Sequence, residues 1–299
     1  MDGFRLSWRH FFHVAIPSIL LVLMGVLLFR INTRAVAYTW DGGGSDGTCG
    51  GGVGDGNKWS CAANWSSDIV PGASDTVTFN STSTKNVTID AGWAGTVGGI
   101  TIASTYSGTI TQARSLTVSG AFSQAAGTFT GSSDSITFNN SFSLTGGTFS
   151  GGSGSDSFSS GGSFSISAGT FNASSGTTTF GSFGFTHSGT ATFNHNNGTV
   201  VFGGSSNNTY TSASTLTFYD VTFNNTGGLS WGLSSKTLTI IHNLTLTNGT
   251  VDNGTLDVGT NTAASRSVTQ AAGFDGGSAV VQVSGTDVIA LTLTGDSDS

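Results

Sequence analysis

The side chains able to do chemistry are few. Beyond the first fifteen residues the histidines are His187, His195 and His242, and the first two are eight apart within one strand-rich stretch. Asp252 and Asp257 lie near His242 and are the carboxyl groups on which general acid–base work would draw. Glycoside hydrolysis needs two carboxyl groups at a set separation, and a polysaccharide lyase needs a base with cations to hold an acidic sugar. Every acidic residue is Asp, no two are adjacent, and Lys and Arg total only nine. The expectation is a protein that is not an enzyme. Gly151-Gly-Ser-Gly-Ser-Asp156-Ser-Phe-Ser159 matches the calcium-binding nonapeptide G-G-x-G-x-D-x-U-x, which makes Asp156 the candidate metal ligand and calcium the candidate cofactor. Such sites form between tandem turns that share the oxygen ligands, and no second copy adjoins this one. Asp41, Asp46 and Asp55, in Gly-rich loops, form a second calcium candidate of the same kind.

The elements that must position these groups are strands. Gly, Ser, Thr and Asn make up just over half of the 299 residues, Glu is absent, and the good helix formers other than Ala and Leu are nearly missing. A helix-rich enzyme domain is excluded. Apolar residues alternate with Ser and Thr, as in Thr76-Val-Thr-Phe79 and Ser135-Ile-Thr-Phe138, the period of a half-buried strand. Gly-Thr-Phe recurs at Gly127, Gly147 and Gly169, each time five residues after a phenylalanine, Phe122, Phe142 and Phe164. The frame returns at Leu244 to Val251, which sets a repeat of about twenty residues. One such unit buries too little alone, whereas stacked units pair strand on strand. The fold class expected is therefore all-β: a parallel β-helix, or β-solenoid, of about eleven coils over residues 76–299. Phe122–Phe142–Phe164 and Phe129–Phe149–Phe171 would form ladders along its axis. A β-sandwich also has many short strands, but its strands do not repeat one another.

Residues 1–37 carry Arg5 and Arg9, then an uncharged run from Phe11 to Phe29 and Ala35-Val-Ala37, the pattern of a signal peptide or, if retained, of an N-terminal membrane anchor. Either reading places the rest outside the cytoplasm, secreted or at the cell surface, with any membrane contact made through residues 1–37. Residues 38–299 hold 5 basic and 15 acidic groups, a net of −10. Isolated cations on an acidic chain cannot release enough counterions to hold nucleic acid. In an exported chain Cys49 and Cys61, an even pair, read as one disulfide. They lie in a segment, residues 38–75, with Trp40, Trp59 and Trp65, which reads as a small cap over the open end of the solenoid.

Trp40-Asp-Gly42, Trp59, Asn64-Trp65, Pro71 and Asp75-Thr-Val-Thr-Phe79 resemble the opening of bacterial secreted β-solenoid surface proteins, the autotransporter-passenger-like and adhesin-like group. Leu216 to Asn225 and Asn243 to Thr250 are similar to their repeat units. The resemblance specifies an architecture, not a ligand. The role expected is structural or adhesive, with surface polysaccharide or matrix protein as partner and Tyr210, Tyr219 and Trp231 as exposed aromatic contacts. Two other roles belong to the same architecture. One is a polysaccharide-active hydrolase or lyase on a parallel β-helix. The other is ice binding through outward threonine rows, against which stands the expectation that the Thr pairs do not recur at one site in each coil.

Overall fold

A computed structural model describes residues 34–159, 161–181, 184–259, 266–285 and 289–293. The chain divides into Met1–Arg34 and Ala35–Ser299. Residues 1–33 of the expected leader, its apolar run among them, lie outside the described residues, and among those described no helix is long and apolar enough to cross a membrane. Cap and solenoid fall together in the second unit.

That unit is an all-β parallel β-solenoid of about nine turns. Among the described residues helix is confined to the short 3-10 turns Asp55–Asn57, Ala62–Asn64 and Ser66–Asp68. Each coil lays one strand on each of three faces. The first face runs through Thr76–Phe79, Gly99–Ile102, Phe122–Gln124 and the start of Phe142–Ser150. The second runs through Val87–Ile89, Thr109–Gln112, Thr128–Thr130 and the end of Phe142–Ser150. The third begins with Thr96–Val97, Leu116–Val118, Ile136–Phe138 and Ser155–Phe158. There are fewer coils than the eleven expected because the corners lengthen. The step from Phe122 to its partner Phe142 is 20 residues, and that from Phe185 to Tyr210 is 25.

Alternation along each strand sends every second side chain inward, and parallel pairing sets like on like. Both expected ladders form: Phe122 stacks on Phe142 and Phe142 on Phe164 with ring centroids 5.0 and 5.2 Å apart, and Phe129–Phe149–Phe171 stack at 4.9 and 5.3 Å. A third ladder, Phe138–Phe158–Phe180–Phe202–Phe223, fills the third face. Rings from different ladders meet edge to face, as Phe142 and Phe149 do at 5.1 Å, so one aromatic column occupies the tube. Each pair adds about 0.5–1.5 kcal/mol beyond area burial. The repeated glycine has a steric cause. Gly147 and Gly169 turn the first face into the second with φ of 74° and 75°, and a Cβ there would strike the carbonyl oxygen of the preceding coil at 2.4 and 2.5 Å.

Buried polar side chains mostly cross-link coils. Gln112 accepts from the Ser132 amide and donates to the Asp134 and Ser135 carbonyls of the next coil, while Gln124 donates to the Thr148 carbonyl.

The cap is an insertion between two rungs of the first face, since Ala37–Thr39 pairs directly with Thr76–Thr78. Cys49 and Cys61 are joined in a disulfide. Trp40, Trp59 and Trp65 are fully buried and gather over Phe79, each with its ring centroid 5.9 Å away. Lys85 ties the insertion down by donating to the carbonyls of Gly42, Gly44 and Gly56. Its own carbonyl accepts from the Trp40 indole and the Tyr106 hydroxyl.

Candidate functional site

The outward side chains of a solenoid also stack, because coil spacing of about 4.8 Å sets them side by side. At the corner between the second and third faces this produces one continuous strip. Asn172 donates to the Ser150 hydroxyl at 2.9 Å, and Asn194 donates to the Asn172 side-chain oxygen at 2.8 Å. The next residue, His195, stacks on Tyr219 at 5.9 Å, and Tyr219 stacks on His242 at 4.6 Å. Beside them, His242 Nδ1 lies 2.8 Å from Asp220 Oδ1, which also accepts the Asn243 amide. Asn243 in turn accepts from the Ser267 hydroxyl at 2.7 Å. From Ser150 to Ser267 the strip crosses six coils, on the order of 24 Å.

Geometry decides what this strip offers a ligand. The three rings stack along the axis with interplanar angles of 23° and 27°, so the faces turned toward one another are partly covered. A sugar lying along the corner would meet hydrogen-bonding edges and amides, not an aromatic platform. His195 Nδ1 accepts the Asn197 amide, which leaves the hydrogen on Nε2, and partial burial pushes its pKa down, favouring the neutral ring. His242 and Asp220 are each about one quarter exposed, so their pair is open to solvent and screened. No Lys or Arg belongs to the strip, which suits a neutral, hydroxyl-rich ligand better than an anionic one.

The third face adjoins the strip. Its central outward column reads Thr96, Thr117, Thr137, Ser157, Thr179, Val201, Thr222, Thr245, Thr269 and Thr292, one hydroxyl per coil with a single exception. A single threonine therefore recurs at one site in nearly every coil. Thr-x-Thr pairs do not, as the sequence leads one to expect, since the column two residues before it reads Ser155, Thr177, Thr199, Asp220, Asn243 and Ser267. The single recurrence is hidden in the sequence because the step between successive members varies from 20 to 24 residues while the register stays fixed.

The other candidates are placed as follows. Tyr210 and Trp231 are fully buried, Tyr210 stacked on Phe185 and the Trp231 indole donating to the Gly203 carbonyl. They pack the tube and touch no ligand from outside. Only Tyr219 of the three expected aromatics reaches the surface. His187 lies 3.0 Å from the Ser212 hydroxyl, within reach for a base and a nucleophile. Both are buried, however, and Nε2 is held by the Ala191 carbonyl, so the pair cross-links two coils. Asp252 is saturated by Ser230, Thr250 and Ser278, and those hydrogen bonds, chiefly from Ser230, hold its pKa down. His242 is paired with Asp220 rather than with Asp252 or Asp257.

Asp156 occupies an inward position on the third face, between Ile136 and Thr178 of the neighbouring coils. It is 1 % exposed, and neither carboxyl oxygen has a hydrogen-bond partner. Burial alone pushes its pKa up to about 8, so it is held as the neutral acid at pH 7. The cap aspartates Asp46 and Asp55 accept the amides of Gly56 and Gly52 and so close their own loop. Among the described residues no group of three or more His, Cys, Asp or Glu is placed to hold a metal ion. No family model, curated protein or solved structure matches the chain.

Proposed function

We propose that the chain is an extracytoplasmic β-solenoid rod with a structural and adhesive role, binding surface polysaccharide along its outer corner. The observation that carries this reading is the axial strip from Ser150 to Ser267, a line of amides, ring edges and a carboxylate held in register by the aromatic ladders beneath it. A line of that kind suits an extended polymer, each coil adding one weak contact to the next. The disulfide fits an oxidising compartment outside the cytoplasm. Low positive charge directs the choice to neutral glycans over acidic glycans or nucleic acid.

The test is binding to immobilised neutral polysaccharides by the wild type and by a Tyr219→Ala/His242→Ala variant. Both side chains are outward and half-buried, so thermal stability should hold within about 1 kcal/mol while binding falls. Equal binding by the two proteins would remove the strip from the account. Release of new reducing ends would move the protein to the polysaccharide-active enzymes.

A second reading has its own support. The threonine column of the third face is an ordered row of hydroxyl and methyl groups on a parallel sheet, which suits ordered water. Inhibition of ice recrystallisation that is lost in a Thr137→Lys/Thr179→Lys variant would favour ice binding over the adhesive rod.

A further inference from the structure

We propose that the peptide bond between Val53 and Gly54 is a site of limited proteolysis, at which an endopeptidase with a small aliphatic primary pocket converts the chain into a two-chain form joined by the disulfide of Cys49 and Cys61. The inference is independent of what the outer corner binds.

Val53 stands within the loop that the disulfide closes. At 104 % it is the most exposed large hydrophobic residue among those described, and Gly50, Gly51, Gly52 and Gly54 around it are exposed too. Among the described residues the Val53 amide, its carbonyl and the Gly54 amide make no hydrogen bond. A Cβ on Gly51 or Gly54 would meet nothing within 4 Å beyond its chain neighbours, so both sides of the bond open onto free space. Both glycines hold a positive φ, 87° and 88°, and glycine leaves that region at no steric cost for the extended form in which a cleft takes up a peptide. Exposed loop tips of small residues are where nicking concentrates, and a small pocket such as that of elastase takes a side chain of this size. The other exposed apolar residues are held. Val280, Val281, Val283 and Leu291 lie in strands paired with the preceding coil, and Val36 donates to the Asp75 carboxylate and accepts from the Thr76 amide. Ile69 is followed by Val70, packed against the core, and by the buried Pro71.

The flanks are fixed where the tip is free. The Gly51 amide donates to the Asp46 carbonyl and the Gly52 amide to the Asp55 carboxylate, while the Asp46 carboxylate accepts the Gly56 amide. Hydrolysis adds one water across the bond, leaving a carboxylate on Val53 and an ammonium on Gly54. The segment ahead of the cut keeps its other contacts. Ala37–Thr39 stays paired with Thr76–Thr78, Trp40 stays bridged to Trp65, and Lys85 reaches the Gly42 and Gly44 carbonyls from the larger fragment. The cut therefore leaves the cap closed. It also makes the disulfide the one covalent link between the solenoid and everything ahead of Gly54. A dithiol reductant, which supplies two electrons and two protons and turns the disulfide into two thiols, completes the covalent separation that the endopeptidase begins.

The test uses the full oxidised chain and a limiting amount of elastase. The first cut should leave the band on a non-reducing denaturing gel unchanged. Reduction should then resolve two fragments, the larger beginning Gly54-Asp-Gly-Asn-Lys58 by N-terminal sequencing. Val53→Asp sets a charge where the pocket needs an aliphatic group. Because that side chain is fully exposed, the variant should keep the melting temperature of the wild type while this cut slows at least about tenfold. Val53→Ala still fits a small pocket and should keep the cut, which separates recognition by the pocket from any change in the loop. A first cut at any other bond, equal rates for the wild type and Val53→Asp, or fragments that part on the gel without reductant would each overturn the proposal.

Discussion

Replacing Asp156 by Asn is expected to turn a solenoid whose stability falls with rising pH into one that is nearly indifferent to pH over the same range. Asn keeps the size of the side chain and removes its charge. Unfolded, the carboxyl titrates near 3.8; folded, enclosed between Ile136 and Thr178 with no partner for either oxygen, it titrates at about 8. Below pH 3.8 both states carry the proton and burial of the acid costs nothing extra. Between the two values unfolding releases a proton, so stability drops as pH rises, and above pH 8 the loss is complete. A separation of about four pH units at about 1.36 kcal/mol each gives about 5–6 kcal/mol. For a chain of this length that corresponds to roughly 10–20 °C in melting temperature. The assay is calorimetric melting of both proteins from pH 4 to pH 9, with and without calcium. The wild type should lose stability across that range and Asp156→Asn should not. Parallel curves would refute the reasoning. A calcium-dependent gain confined to the wild type would do so too, because it would mean that a cation, not a proton, neutralises the carboxyl.

Other perturbations follow from the packing. Phe149→Ala removes a ring that stacks on Phe129 and Phe171 and should cost about 3–5 kcal/mol by denaturant melts. Cys49→Ser/Cys61→Ser opens a loop of 12 residues and should cost about 3 kcal/mol, matched by reduction of the wild type. Lys85→Met strands three carbonyls of the cap and should speed hydrogen exchange of the cap amides more than those of the later coils, at a cost of about 1.5–3 kcal/mol.

The solenoid was legible because its cause is local and repeated. Phe122, Phe142 and Phe164, each followed at the same distance by a glycine, state both the inward position and the corner that needs a positive φ. The third ladder from Phe138 to Phe223 was harder to see, since no fixed tripeptide accompanies it and corner lengths differ from coil to coil. The outer strip was largely hidden. His195, Tyr219 and His242 are separated by 24 and 23 residues, and nothing in their immediate neighbours marks them as stacked. Composition could not tell Tyr219 from Tyr210 either, because both follow a strand-like alternation and only the register sends one outward and the other into the core. Asp156 shows the reverse problem. Its Gly-rich surroundings resemble a loop motif, whereas strand pairing with Ile136 and Thr178 places it inside the tube.

The central claim is that the outer corner of the rod binds a neutral polymer without transforming it. The most direct measurement is a glycan array probed with oxidised protein, wild type beside Tyr219→Ala/His242→Ala, with the bound glycans then assayed for new reducing ends. The account predicts saturable binding of neutral glycans by the wild type, loss of most of that binding in the variant, and no product. Binding that is unchanged by the double substitution, or release of product, would contradict it.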